Sequence, residues 1–306
     1  MTYFLKASLF LLVMFSVTTS KAQLYKNNIR EYKARIPGEA AKLIKSGELF
    51  LTADSLSQTF KPNGYGPIAV DLESMKKKKL EPGKIYNRVA EATVIVSPTG
   101  KCGELTERGT ECEKIHSYPA TGYIIDSKGI IVTNYHVANG YVTKNNTTSR
   151  DVMIVMLKDG TTFPVTEVLS ADQANDLAIL KIDPKGRKLP ALPIATKDAE
   201  IGDPVFIVSH PKGFFYAFSS GMVTDKFSEN NWRARQYRNI MAISADFAAG
   251  SSGGAIIDQF GNVIGTVSYT KTLQHSDDPS KTQMILKATI PAAELLKLIK
   301  EGNIKK

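Results

Sequence analysis

The chain has 306 residues, and at roughly 150 residues per domain that is about two compact units or one large one. Its composition, 42% hydrophobic and 23% charged with 14 prolines and 22 glycines, is that of a globular protein and excludes disorder and collagen. Lys+Arg 39 against Asp+Glu 30 gives +9, which keeps nucleic acid, an anionic membrane surface and acidic polymers in view until the charge is located, while two cysteines exclude a disulfide scaffold or a four-thiolate zinc site but allow one bridge.

At the start, Lys6, the apolar run Ala7 to Val17 and the small residues Ser20 and Ala22 read as a secretory signal over 1–22, with an uncleaved anchor as the alternative. Cleavage after Ala22 removes Lys6 and Lys21 and no acid, lowering +9 by two to +7. No later stretch has the length and apolarity of a membrane helix, so no span is expected after signal removal, and the product is placed in the periplasm or outside the cell. Residues 23–85 read as an irregular polar extension with a helical stretch near Ala40 to Ile44 and a solvated Lys76-Lys77-Lys78-Lys79 run. Cys102 and Cys112 flank nine residues rich in Gly, Thr and charge, and in an exported chain they are expected to close a loop by a disulfide. Metal binding with His116 would supply three ligands where structural zinc uses four, so no metal and no cofactor are expected.

From about Tyr86 short β-rich runs recur between turn signals. The first set is Ala92 to Ser97, Thr121 to Asp126, Ile130 to Asn134, Val152 to Leu157, Phe163 to Leu169 and Leu177 to Ile182. The second is Val205 to Ser209, Tyr216 to Val223, Asn239 to Ser244, Ala255 to Ile257, Asn262 to Tyr269 and Met284 to Ile290. Twelve strands with almost no helix between them exclude a βαβ fold and predict an all-β protein of antiparallel sandwiches or barrels in two sets of six. An amphipathic helix over 291–300, opened by Pro291, is expected to follow.

Three local patterns bear on chemistry. In Asp246-Phe247-Ala248-Ala249-Gly250-Ser251-Ser252-Gly253-Gly254, glycines flank serines, and glycine backbones let adjacent N–H groups converge beside a hydroxyl, as an oxyanion hole requires. Taken alone this word is commonly a flexible turn. Serine is a weak nucleophile without a base, and a base needs an orienting group. His136 in Thr133-Asn134-Tyr135-His136-Val137 and Asp176 in Asn175-Asp176-Leu177-Ala178-Ile179-Leu180 supply both types, each at the end or mouth of a strand. The order His, Asp, Ser puts the first two in one set of strands and the serine in the other, which suits a site at a junction of barrels.

With Thr121-Gly122-Tyr123-Ile124-Ile125-Asp126 and Gly261-Asn262-Val263-Ile264-Gly265 added, the chain resembles the chymotrypsin-like (trypsin-like) serine proteases, and among them the HtrA or Deg-type branch, over about Tyr86 to Ile299. The resemblance implies two six-stranded Greek-key barrels, about 86–186 and 187–290, within a protease domain 86–306. It implies a serine endopeptidase acting on protein or peptide substrates, with His136 as base, Asp176 orienting it, Ser252 as nucleophile and the Gly250 and Ser252 amides as oxyanion hole. For substrate binding it points to Asp246 as a possible pocket floor, or simply a strand end, and to Ser268, Tyr269 and Thr270 as an edge strand. A PDZ domain, usual in that branch, is not expected before Lys306. Ser251 stands where trypsins carry the aspartate that pairs with a newly cut N-terminus, so that zymogen switch is not expected. His210 is read as structural. The competing readings are a silent pseudoprotease serving as a scaffold and a binder of anionic polymers, although no nucleic-acid motif is present.

Overall fold

The structure, a computed structural model, describes residues 28–46, 50–52, 55–56, 66–101, 109, 112, 114–142 and 151–301. The expected signal and Cys102, and with it the expected disulfide, lie outside the described residues.

The first barrel is built from β2 (Thr93–Lys101), β3 (Ile115–Ser117), β4 (Ala120–Asp126), β5 (Ile130–Thr133), β6 (Val152–Met156), β7 (Thr162–Asp172) and β8 (Leu177–Ile182). The sheet order is β3-β2-β4-β5-β8-β7-β6, and a further β2–β6 pairing closes six of the strands into a ring with β3 appended. Closure removes the exposed edges that an open antiparallel sheet would present. The second barrel closes in the order β10-β11-β14-β13-β12-β9. Its strands are β9 (Pro204–Ser209), β10 (Ala217–Asn231), β11 (Gln236–Ile243), β12 (Ala255–Ile257), β13 (Val263–Gln274) and β14 (Thr282–Pro291). The double barrel expected from the sequence is therefore present.

Each barrel has its own apolar filling. Val94, Val96, Ile124, Ile131, Val155 and Leu180 meet inside the first, and Val205, Ile207, Val223, Met241, Ile243 and Ile256 inside the second. A third cluster joins them and extends under the helices, which explains why β2 and β4 are buried along almost their whole length rather than alternating. Within it the fully buried Tyr123 of β4 shares a 2.8 Å hydrogen bond with Thr266 Oγ1 of β13, a polar link between the barrels.

The described segments flanking the barrels carry more regular structure than the sequence reading expects. Residues Asn28–Ser46 form helix α1, with Tyr32, Ile36 and Ala40 buried at i, i+4 and i+8 and facing the first barrel. Burying Ile36 alone stabilises this docking by about 1.5–3 kcal/mol. Strand β1 (Ile68–Val70) pairs in parallel with β15 (Ile299–Glu301), and helix α2 (Pro82–Ala92) leads into β2. The expected C-terminal helix over 291–300 is corrected to a single turn, α4 (Ala292–Leu296). Leu298 instead accepts the Ile68 amide at 2.9 Å, and Ile299 to Glu301 add to the edge that β1 offers. The Lys76 to Lys79 run is tethered at its first member, where Lys76 and Asn262 exchange hydrogen bonds of 2.7 and 2.9 Å.

Candidate active site

His136 is the second residue of helix α3 (Tyr135–Val142), which begins two residues after β5 ends. An N–H in a helix's first turn has no partner within the helix. The His136 amide finds one in Asp176 Oδ1 at 3.0 Å, and the ring Nδ1 lies 3.0 Å from both oxygens of the same carboxylate. One carboxylate thus fixes both the backbone and the ring of His136.

Asp176 ends the turn between β7 and β8 with φ of 54°, in the left-handed region that costs a non-glycine residue energy and that recurs at functional sites. Four contacts hold it there. Its carbonyl accepts from Asn134 Nδ2 at 2.8 Å, and Oδ2 accepts from Ser268 Oγ at 2.7 Å. The turn itself is gripped by Asn231 at the end of β10, whose Nδ2 donates to the carbonyls of Gln173 and Ala174 at 3.2 and 2.9 Å. Burial works against a charged imidazole at His136, but the hydrogen bond and charge of Asp176 outweigh it while Arg233 opposes them, and the net effect raises its pKa above 6.5. The ring is still 48% exposed on its outer side.

The serine lies in the 250–254 turn ahead of β12. Gly253 has φ of +81°, and a Cβ there would sit 2.4 Å from both the Thr121 carbonyl and Thr133 Oγ1. Its amide donates to Val267 at 3.1 Å. The serine loop therefore lies against Thr133, three residues before His136, and against the neighbour of Ser268. Thr121 of β4 ties it down from the first barrel: its amide donates to the Ser252 carbonyl at 2.9 Å and its hydroxyl to the Gly250 carbonyl at 2.7 Å. Ser251 is fully buried and its hydroxyl accepts from Ser209 Oγ at 3.0 Å, so it is structural. The Ser252 side chain is half-buried and donates no hydrogen bond to His136 among the described residues; such contacts are commonly long before substrate binds.

Two amides of this turn differ from their neighbours. Among the described residues, the N–H groups of Ser251, Gly253 and Gly254 reach carbonyls at 2.9, 3.1 and 2.9 Å, whereas those of Gly250 and Ser252 have no acceptor. Their directions are set from behind. A trans peptide points its C=O and N–H to opposite sides. The Ala249 carbonyl is held by the Lys212 amide at 2.7 Å and the Ser251 carbonyl by the Gly254 amide at 2.9 Å, so the following amides, those of Gly250 and Ser252, are turned the other way.

A cleft of about 700 Å³ opens beside His136 and Asp176, lined also by Tyr135, Trp232, Ser268 and Tyr269. Its wall is fixed by Glu229, which pairs with Arg238 at 2.6 Å and accepts from the Tyr269 hydroxyl at 2.7 Å. Burial, then the Glu229 carboxylate, pushes the Tyr269 phenol up to about 12, so it remains a donor. Of the residues expected to bind substrate, Ser268 is engaged with Asp176, Tyr269 lines the cleft and Thr270 pairs in register with Lys287 of β14. Asp246 stands apart, 89% exposed and 3.3 Å from Lys287 Nζ.

Sequence reasoning passed over Thr121 and Asn134, although both lie in words quoted for the resemblance. It also passed over Asn231, for which no local signal exists. His210 is buried, as a structural residue would be. Its Nδ1 accepts the Tyr216 amide at 3.0 Å, which fixes the neutral tautomer with the proton on Nε2. Burial pushes its pKa down to about 3.

Residues 120–265 match the model of the trypsin-like peptidase domain. Curated relatives include the serine endoprotease DegS of Salmonella typhimurium, 31% identical over 189 residues, or 60% of this chain and 49% of the relative. The putative serine protease HhoA of Synechocystis is 32% identical over 148 residues, 47% of this chain and 35% of the relative. The chain thus spans less than half the length of these relatives. Among solved structures, the HtrA-type protease AlgW with decapeptide superposes with a TM-score of 0.55 at 23% identity, covering 71% of this chain and 67% of that one. With the barrels, the His136–Asp176 pair and the serine turn already in place, these matches show that the chain has the double-barrel fold of the HtrA-type proteases and that its residues 120–265 are similar to the trypsin-like peptidase domain.

Proposed function

We propose that the protein is an exported serine endopeptidase that cuts peptide bonds through Ser252, His136 and Asp176. The observation that carries this reading is the pair of amides without an acceptor, Gly250 and Ser252, in the same turn as the one serine hydroxyl of 250–254 left outside the core. Such donors stabilise charge that develops on a carbonyl oxygen during acyl transfer. His136 removes the Ser252 proton as Oγ bonds to the substrate carbonyl carbon, and the oxygen turns anionic against the two amides. The same imidazolium then protonates the departing amine as the C–N bond breaks. Water repeats the sequence on the acyl-enzyme and frees Ser252. No step calls on a metal or cofactor, and none of the described residues groups as a metal site.

Protein or peptide substrates follow from this chemistry. The Asp246 carboxylate is matched by Lys287, so it leaves no unpaired anion to select a basic side chain, and we expect no preference for cleavage after Lys or Arg. Export rests on the N-terminal leader, with periplasmic or extracellular delivery; no helix among the described residues is long and apolar enough to cross a membrane. The absence of a Ser252–His136 hydrogen bond is the observation favouring a silent binding module of the same fold. Hydrolysis of a peptide library by the parent and by Ser252→Ala separates the two. The endopeptidase reading expects cleavage that falls by roughly 10⁴ to 10⁶ in the variant. An inert parent, or equal rates, would support the binding module.

A further inference from the structure

Helix α1 lies far from Ser252 in sequence, yet a short series of contacts connects them. The Tyr32 ring packs 5.2 Å from that of Phe215 and 5.6 Å from that of Tyr216, centre to centre, and its hydroxyl donates to the Lys158 carbonyl at 2.5 Å. Phe215 and Tyr216 pack in turn on the His210 ring, at 5.5 and 4.7 Å. All four rings are buried. Tyr216 has φ of 59° and Lys212 φ of 52°, so the segment from His210 to Tyr216 holds two non-glycine residues in the left-handed region and depends on its surroundings to stay there.

This segment backs the oxyanion turn. The Lys212 amide holds the Ala249 carbonyl at 2.7 Å, and the His210 carbonyl lies 2.4 Å from where a Cβ on Gly250 would be. The His210 amide donates to Thr121 Oγ1 at 3.2 Å, and that hydroxyl donates to the Gly250 carbonyl. If the 210–213 turn relaxes, the Ala249–Gly250 peptide is free to rotate and take the Gly250 N–H away from the substrate. Lys33 of α1 also lies over the turn, with its Cε 2.9 Å from a Cβ position on Gly213.

We infer that helix α1 is a positioning element of the oxyanion site: Tyr32, through Phe215, Tyr216 and His210, fixes the turn whose Lys212 amide aims the Gly250 N–H. The inference rests on the endopeptidase reading and gives the N-terminal extension a part in it. An element that aims a donor at the transition state changes turnover and leaves ground-state binding alone. It does not touch the His136–Asp176 pair, so it leaves the pH profile alone.

The test compares full-length parent, Tyr32→Ala and Tyr32→Phe in kcat, KM, the pH midpoint of kcat/KM and inhibition by a peptidyl aldehyde, whose hemiacetal oxygen occupies the oxyanion position. Expected for Tyr32→Ala is a kcat lower by about tenfold or more at unchanged KM and pH midpoint, with aldehyde affinity falling by a similar factor. Tyr32→Phe, which keeps the ring contacts, stays within about twofold of the parent. Unchanged kcat in Tyr32→Ala that still melts cooperatively overturns the inference, as does a loss confined to KM or a shifted pH midpoint. If Tyr32→Ala does not fold, Phe215→Leu, which keeps apolar volume but removes the shared ring, carries the same expectations and the same refutation. An inert parent would instead bring down the endopeptidase reading on which the inference stands.

Discussion

Ser268 donates its hydroxyl hydrogen to Asp176 Oδ2 at 2.7 Å, so a strand of the second barrel holds the acid that the first barrel presents to His136. The acid turn is gripped from the same side by Asn231. The site is therefore a product of docking between barrels, and its precision depends on that docking as much as on either barrel alone.

A hydrogen bond to a charged group contributes about 1.5–3 kcal/mol. Ser268→Ala should accordingly destabilise the protein by about 1–3 kcal/mol in denaturant unfolding and lower kcat/KM, since the carboxylate is left to swing away from Nδ1. A variant with parental stability and activity would show that Ser268 does not hold Asp176.

The pH dependence has a definite sign. In the proposed mechanism His136 must be neutral to accept the Ser252 proton, and its pKa is raised above 6.5 despite burial, because the Asp176 hydrogen bond and charge prevail. Activity should fall as pH drops through this raised value. Arg233 acts in the opposite direction, so Arg233→Ala should move the acidic limb of kcat/KM to higher pH. A shift to lower pH would contradict the arrangement.

His210 makes a separate prediction about stability. Its pKa is about 3 in the folded chain and near 6.5 when unfolded, so below 6.5 the unfolded chain binds more protons. Its contribution is fully present above 6.5 and is lost as pH falls toward 3, at up to roughly 1.4 kcal/mol per pH unit. Denaturant unfolding at pH 7 and pH 5 measures the slope. His210→Asn, whose Oδ1 can accept the Tyr216 amide, should flatten it; an unchanged slope would assign the acid sensitivity elsewhere.

Glycine is required where the serine turn meets its support. Gly250 has φ of +97° and faces the His210 carbonyl, so the Cβ of Gly250→Ala meets backbone at 2.4 Å and must displace one side. Either response disturbs the Gly250 amide. We expect kcat to fall by about 10²-fold or more, in the range found when one oxyanion donor is lost, and steady-state kinetics on a peptide substrate reads it.

Much of this was legible in the chain. The twelve barrel strands carry β-branched apolar residues between turn residues, and burial makes that pattern obligatory. The outer halves of β10 and β11 were missed because they leave the core: Thr224 to Asn231 is mostly polar and exposed, so no apolar alternation marks it. Helix α1 was largely missed because Pro37 and Gly38 interrupt it, although Tyr32, Ile36 and Ala40 held the period. The last residues read as helix from their own amphipathic pattern, yet the partner edge of β1, more than two hundred residues away, draws Ile299 into a strand. At the proposed site, His136, Asp176 and Ser252 stand out in the sequence because their residue types carry distinctive chemistry. Their supports were not, because Thr121, Lys212 and Asn231 act through position in space, and two of those bonds are made by backbone amides that any non-proline residue supplies.

The most direct measurement is labelling of the folded parent and Ser252→Ala with a fluorophosphonate, followed by peptide mapping of the modified residue. The account predicts one phosphonyl group per parent chain, on Ser252, and none on the variant. An unlabelled parent, or a label that persists in Ser252→Ala, would contradict it.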